Sequence, residues 1–365
     1  MHVDPVASLP WFARHRAAND LARTSYHDLA SWRDAAGSAL QASAQASPYD
    51  TAEWLERTVR LSRRADRPLV LSADDQAWLP LTRDGVGQAR ALASWYTLAF
   101  RPIFALPSFK RVRTMVALAS AARREGLGRI VLSPVPEWDG SARLLADGFR
   151  RAGWIVRVEE ATGNWVHRVS GDGWDEYFAS RPGTLRSTIR RKSKRNDLSV
   201  TRHRTLDPAL WADYVAVFAG SWKGEEGSLP FLRDWMGAAA RQDRLRLGFA
   251  HHGNRPVAAQ FWTIDGDTAT IHKLAYREDA RALSPGTVLG AAMFRAAIEE
   301  DRVALIDYGT GDDGYKREWM SERRPLMRVT LSDPRAPVGA LLLARDAAAR
   351  LVARRLSSAG ADVTG

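Results

Sequence analysis

The chain has 365 residues, 45% hydrophobic and 26% charged, a composition that excludes a disordered or fibrous protein and suits two ordinary soluble domains. It contains no cysteine, which excludes disulfides, thiolate catalysis and Cys-ligated zinc, and it has no apolar run of about 18 residues that would span a membrane. Its net charge of +11 and pI near 10.3 attract anions such as nucleic acid, phosphorylated cofactors, acidic lipids or acidic substrates. Arginine-rich composition produces such a charge without function, so charge by itself selects none of these. The start, Met1–Arg16, lacks a basic segment followed by an apolar core, so no secretory signal is expected and the expected compartment is the cytoplasm.

Residues 1–47 form an Ala-, Ser- and Arg-rich lead-in with scattered aromatics (Trp11, Phe12, Tyr26, Trp32). A helix is expected over Thr51–Leu61, ending near Arg63-Arg64, and a β-hairpin from Pro68–Ser72 and Ala77–Leu81 across Asp74-Asp75. The aromatic and aliphatic run from Gln88 to Leu106 reads as core. Helices over Thr114–Glu125 and Ser141–Gly153 alternate with short strands at Arg129–Leu132, Trp154–Val158 and Trp165–Val169. The first half is therefore mixed α and β, and the boundary falls between about Ser170 and Leu185.

The second half begins with a short helix, Trp174–Ala179, and a basic one, Leu185–Asp197. The latter carries Arg186, Arg190, Arg191, Lys192, Lys194 and Arg195; residues 186, 190 and 194 share a face, as do 187, 191 and 195. It is either an electropositive ridge for phosphate or RNA, or a solvated helix bridging two domains. No stacking aromatics are interleaved, as single-stranded nucleic acid would prefer. Helices follow at Pro208–Gly220 and Pro230–Arg241, separated by Ser221-Trp222-Lys223-Gly224. Next come a strand, Leu245–Ala250, and a hairpin of Pro256–Ile264 with Thr268–Tyr276. The tail Pro337–Leu356 is an amphipathic helix, suited to packing on its own domain or to a membrane surface or partner.

The most informative stretch is Ala275–Trp319: a strand end, the turn Ser284-Pro285-Gly286-Thr287, the helix Val288–Ile298, the strand Val303–Tyr308 and a Gly-rich loop. Pro suits a first helical turn and Ser a cap, and free N–H groups at such an opening bind phosphate. The strand ends in Asp307-Tyr308 and is followed by Asp312, Asp313, Tyr315, Lys316, Arg317 and Glu318. Gly309-Thr310-Gly311-Asp312-Asp313-Gly314 satisfies a dinucleotide fingerprint, but two aspartates would face the pyrophosphate and no second strand-helix-strand unit follows. No HExxH, clustered His/Asp spacing, G-x-S-x-G or P-loop occurs, so no metal is expected.

Taken in order, these motifs, with Pro256-Val257-Ala258-Ala259-Gln260 and Tyr315-Lys316, resemble the GNAT acyltransferase superfamily. The look is closest to its CelD-like branch, related to the Fem-type aminoacyl transferases. The resemblance covers roughly residues 50–330 and is most specific over 184–325. It implies an α/β (mixed α+β) fold of two GNAT-like domains in tandem, each a mixed, largely antiparallel sheet flanked by helices. The expected divisions are a lead-in at 1–47, an N-terminal domain at 48–175, a C-terminal acyltransferase domain at 176–332 and a helical tail at 333–365. The resemblance implies that an acetyl-CoA or other acyl-CoA donor pairs through its pantetheine with Ile271–Tyr276, so that Lys273, Leu274, Ala275 and Tyr276 touch it. Its pyrophosphate would sit on Leu283–Leu289, including Ser284, Pro285, Gly286, Thr287 and Val288. The loop Arg281-Ala282-Leu283-Ser284-Pro285-Gly286 departs from the usual pattern in having a single glycine. In the Fem-type relatives an aromatic–Lys pair like Tyr315-Lys316 is part of the site.

Acyl transfer to an amine requires a neutral amine, a stabilised oxyanion and a protonated leaving group. Asp307 is the expected base, or else a loop-fixing carboxylate; Tyr308 or Tyr315 is the expected acid. Lys316 is expected to hold a substrate anion or transition-state charge. Trp222, Lys223, Gln260 and His272 are the expected substrate contacts, since strand alternation sends Gln260 or His272 toward a cleft; His251-His252 reads as a turn pair. The leading expectation is an acyl-CoA-dependent N-acyltransferase for a small-molecule or glycan amine, with an O-linked acceptor open. The others are an aminoacyl-tRNA-dependent transferase and a nucleic-acid-binding scaffold without catalysis.

Overall fold

The computed structural model describes residues 25–41, 47–62, 67–171, 173–195, 197–223 and 227–361. Most of the lead-in, Arg63-Arg64 and Gly224 lie outside the described residues.

The first half runs β1 (Ser25–Tyr26), α1 (Leu29–Ala36), α2 (Ala52–Leu61), β2 (Pro68–Ala73), β3 (Ala77–Arg83), β4 (Gln88–Ala91), β5 (Ile103–Phe104), α3 (Val112–Arg124), β6 (Arg129–Pro136), α4 (Ser141–Arg151) and β7 (Ile155–Arg168). The second runs α5 (Gly173–Ala179), α6 (Gly183–Arg195), β8 (Ser199–His203), α7 (Pro208–Ala219), α8 (Leu229–Arg241), β9 (Leu245–His252), β10 (Arg255–Asp265), β11 (Thr268–Tyr276), α9 (Pro285–Glu299), β12 (Leu305–Thr310) and the single turn α10 (Lys316–Trp319). β13 (Glu322–Ser332) and α11 (Pro337–Ala361) complete the chain. Local signals set several starts: Thr51, Asp207 and Ser228 each accept a hydrogen bond from an orphan N–H of the first turn of α2, α7 and α8, with proline inside the last two.

The described strands form one 13-stranded sheet in the order β1-β2-β3-β4-β6-β13-β7-β12-β11-β10-β9-β8, with β5 beside β3. All pairings are antiparallel except β4 with β6 and β11 with β12. Each half repeats one plan: a strand, two helices, three antiparallel strands, a helix, then a strand parallel to the one before it. This is the tandem arrangement that the resemblance implied. The last strand of the first half comes from the far end of the chain. β13 lies between β6 and β7, pairing Leu331 with Ile130 on one side and with Val156 on the other. β7 in turn also pairs with β12, from Leu305↔Arg168 to Thr310↔Asn164.

Two expectations change here. The strands expected at Trp154–Val158 and Trp165–Val169 are one 14-residue strand, because β13 and β12 between them keep its backbone paired past Gly163. β13 was not expected at all, since Pro325 and a run of arginines interrupt its alternation. Its Val329 and Leu331 are nonetheless fully buried in the core beneath α3 and α4, and Leu326 is fully buried too.

A separate core joins the halves. Tyr49, Trp54 and Tyr96 pack with Phe231, Trp235 and Phe261. Trp54 meets Trp235 edge-on at 4.8 Å, and Arg57 donates to Asp234 at 2.7 Å. The run from Gln88 to Leu106 contributes Tyr96, Phe100 and Ile103 to buried clusters, but Trp95 is 82% exposed. The tail helix docks on the first half, where Val338 meets Gly87 and Arg129 pairs with Asp346 at 2.5 Å.

Leu331→Ala should cost about 2–5 kcal/mol of unfolding free energy by denaturant titration, since Leu331 is fully buried between both flanking strands. Asp50, buried at the joint and 3.7 Å from Arg101, is pushed up to about 7 by burial, a cost that Arg101 only partly offsets. A raised carboxyl gives stability that is present below the unfolded carboxyl range and lost as pH rises through about 7. The melting temperature of Asp50→Asn should therefore gain on that of the wild type between about pH 4 and about pH 7, and change little relative to it above that, as determined by calorimetry at each pH.

Candidate active site

Parallel pairing of β11 with β12 lasts only from Thr268↔Leu305 to Thr270↔Asp307. Two local irregularities then drive the strands apart. β11 carries one extra residue, His272, opposite the Phe261/Trp262 step of β10, and such a bulge bends its strand. β12 breaks register with β7 between Asp307 and Thr310, where Gly309 takes a φ of 68° that favours glycine. The opening leads into a cleft of about 2390 Å³ that continues along the first half. Its walls here are Ile271–Leu274 on one strand and Tyr308–Thr310 on the other, with Asp313, Tyr315 and Lys316 beyond. Beyond Thr270 the β11 edge has no strand partner on this side among the described residues, so its backbone groups face the cleft.

The structure thus gathers Tyr308, Tyr315, Lys316, His272, Lys273, Leu274 and Lys223 on one cleft. Lys316 is 4% exposed. Its Nζ donates to Thr310 O at 2.6 Å and lies 3.9 Å from Asp313 and 5.5 Å from the Tyr308 ring centroid. Burial holds its pKa below the usual lysine range, with Asp313 opposing. Tyr308 and Tyr315 meet edge-on at 5.7 Å, and burial pushes both phenols up, so each keeps its proton. His272 hydrogen-bonds Thr263 Oγ1 at 2.8 Å and packs on Trp235 at 4.2 Å. Burial depresses it well below the usual range, which leaves it neutral. Lys273 sits 4.8 Å over the Tyr96 ring.

Asp307 and Gln260 are placed elsewhere. Asp307 does not line the cleft; its Oδ1 accepts from Asn164 Nδ2 at 2.6 Å and Gly309 N at 2.7 Å, the geometry of a loop-fixing carboxylate. Burial raises its pKa against those two bonds. Strand alternation is the cause, since Tyr308 takes the cleft side and its neighbour the other. Gln260 is buried beneath the start of α9, accepting from Trp262 Nε1 at 2.9 Å and donating toward Gly286 O at 3.4 Å. Ala275 is buried in the joint core.

The expected phosphate loop lies beside the cleft rather than in its lining. Ser284 occupies the capping position of α9 in a left-handed conformation, φ 54°, and makes no side-chain cap. Its carbonyl instead accepts from Thr287 N at 3.1 Å and Val288 N at 3.2 Å. Pro285 fills the first turn as expected. A side chain at Gly286 would stand 3.1 Å from the Tyr276 ring, which packs at a tilt on half-exposed Trp222, centroids 4.4 Å apart. The basic helix α6 buries Leu185 and Ile189, and Lys192 donates to Ala282 O at 2.5 Å, holding the loop ahead of Ser284. Arg190, Arg191, Lys194 and Arg195 remain exposed.

Two parts of the site were not expected. Asp313 lines the cleft next to Lys316. The loop 94–98 forms a wall, with Tyr96 accepting from Ser228 N at 2.7 Å and Trp95 on the rim. The signal for the loop was present as an aromatic run, but aromatic runs mark cores more often than clefts. Among the described residues no group of three or more His, Asp or Glu side chains comes together to hold a metal, and no helix is long and apolar enough to cross a membrane.

Residues 179–317 match the model of an acetyltransferase (GNAT) domain. No curated protein sequence matches the chain. Among solved structures, the chain is similar to the C-terminal DUF2156 domain of a protein assigned as a lysylphosphatidylglycerol synthetase of Agrobacterium fabrum, with TM-score 0.56 and 14% identity over 87% of this chain and 96% of that one. FemX aligns with TM-score 0.56 and 11% identity over 84% and 96%. L-PGS from Bacillus licheniformis aligns with TM-score 0.52 and 12% identity over 80% and 96%. The class is therefore a GNAT-type acyltransferase fold, with two GNAT-like halves in one sheet. Within it, the second half carries the matched acetyltransferase domain.

Lys316→Ala should lower turnover on the order of 10²-fold. Its melting temperature should fall by only about 2–4 °C, because the bonds lost are local to one loop. Loss of activity and stability in equal measure would identify Lys316 as scaffold alone.

Proposed function

We propose that the protein is an acyl-CoA-dependent N-acyltransferase whose donor occupies the opening between β11 and β12. The observation that carries this reading is the divergence after Thr270 and Asp307, with the bulge at His272, inside the span that matches the acetyltransferase domain. An extended donor arm pairs with the free edge of β11 over Ile271–Tyr276, and the oxyanion takes a backbone N–H of that edge. The amine nitrogen bonds to the thioester carbon and the carbon–sulfur bond breaks. The amine proton leaves through water or Asp313, which lines the cleft where Asp307 does not. Tyr308 or Tyr315, both held protonated, returns a proton to the thiolate. Lys316 fixes the Gly309–Gly314 loop through Thr310 O and places a positive charge beside the reacting atoms.

The donor's diphosphate would lie on the start of α9, with α6 alongside. The acceptor is a small-molecule or glycan amine, and the compartment the cytoplasm. A CelD-like branch fits the order of motifs from Pro256 to Lys316.

A second reading has a specific support: aminoacyl-tRNA as donor. Arg190, Arg191, Lys194 and Arg195 are exposed on α6, whose Lys192 grips the loop into α9, so an RNA backbone could lie where a free diphosphate would.

Isothermal titration with acetyl-CoA and a longer acyl-CoA separates the two. Binding is expected in the wild type and should be lost in Gly286→Val, whose side chain would displace Tyr276. No binding to either acyl-CoA transfers the donor role to aminoacyl-tRNA.

A further inference from the structure

The first half repeats the plan of the second down to its own diverging parallel pair. β4 and β6 pair only from Gln88↔Arg129 to Arg90↔Val131, and the cleft continues along them. One face of this part of the sheet, carrying Ala89, Ile130, Leu132, Val329 and Leu331, is sealed under α3 and α4. The other face is open and forms the cleft floor. Register places Arg90, Val131, Thr330 and Arg157 side by side across four strands, with Arg328 opposite Glu159. Arg129 and, from α11, Arg350 close the end.

A water-facing sheet ordinarily offsets its charges in cross-strand pairs. Here the carboxylates are too few. Arg90 has Asp84 at 3.4 Å, Glu159 is committed to Arg157 at 2.5 Å and Asp346 to Arg129 at 2.5 Å. Arg129 still has Nη1 buried without a partner, and Arg328 has no carboxylate partner among the described residues. Guanidinium groups crowded on a concave wall favour phosphate, which accepts paired N–H bonds and offsets the repulsion between them. The volume points the same way: about 2390 Å³ exceeds the roughly 300–1,000 Å³ of a pocket for one small ligand. The cleft has room for a donor at one end and a second molecule at the other.

We infer that the first-half end of the cleft holds a phosphate group of the acceptor, so that the acceptor is a phosphate-bearing amine. The inference rests on the acyltransferase reading for the word acceptor; the anion site itself stands on the arginines. Arg157 and Arg328 would contact the phosphate and Arg129 would back it, while the amine reaches toward Lys316 and the bulge.

The test titrates inorganic pyrophosphate into the full chain at low ionic strength, for the wild type, Arg157→Gln/Arg328→Gln and Gly286→Val, with acetyl-CoA titrated in parallel. Arg157 is 54% exposed, so the double variant keeps the fold. Pyrophosphate affinity should fall at least about tenfold in the double variant and persist in Gly286→Val. Acetyl-CoA affinity should show the opposite pattern. An undiminished pyrophosphate affinity in the double variant, or no binding to the wild type, would overturn the assignment. If acetyl-CoA fails to bind while the double variant still loses pyrophosphate, the donor reading fails and the anion site stands.

Discussion

Backbone pairing along β7 is the constraint on which the rest depends. A strand of 14 residues presents N–H and C=O groups on both edges, and wherever it is buried each needs a partner. β13 satisfies one edge along almost the whole length, and β12 takes the other over Asn164–Arg168. The two halves are thereby fused into one sheet, and neither closes without residues from the other. The aromatic core around Trp54 and Trp235 fixes the angle between them on one face.

The same pairing creates the site. Wherever two parallel neighbours diverge, backbone groups lose their partners and a gap opens in the sheet. Elsewhere in a core that would be a defect. Here it occurs once in each half, at β4/β6 and at β11/β12, and a single cleft runs through both. In the second half the divergence is held open by chemistry local to the loop: Asp307 anchors the Gly309 turn from behind, and Lys316 anchors Thr310 from in front. Asp307 and Lys316, each expected to serve the reaction, therefore reach the end of β12 from opposite sides. The positive charge of the lysine faces the cleft with two protonated phenols, while the carboxylate within reach is Asp313.

The basic surplus of the composition is distributed in a way that charge counting does not reveal. Many arginines are matched one-to-one with carboxylates, such as Arg202 with Glu300 and Arg246 with Asp301, which brace the outer edge of the second half. Two groups of arginines and lysines lie close together, on α6 and on the open floor of the first half. These are the two places where an anionic ligand would approach a cleft or a helix start.

Helix and hairpin positions, the proline-led start of α9 and the order of motifs across 184–325 were legible in the sequence because each depends on local periodicity or turn chemistry. The tandem plan followed from that order. Three things were not legible. β13 hides its alternation behind Pro325 and finds its partners roughly 160 to 200 residues away, a separation over which local propensity carries no information. Asp307 and Asp313 differ in role only because one residue of strand alternation and one glycine turn send their side chains to different faces. Trp95 and Tyr96 read alike in an aromatic run, yet one is buried and the other stands on the cleft rim. The sequence by itself determined most of the helices and hairpin strands, β13 excepted, and which chemistry they carry. Which residues share the cleft was decided by the tertiary structure alone, because it depends on where distant strands pair and where that pairing stops.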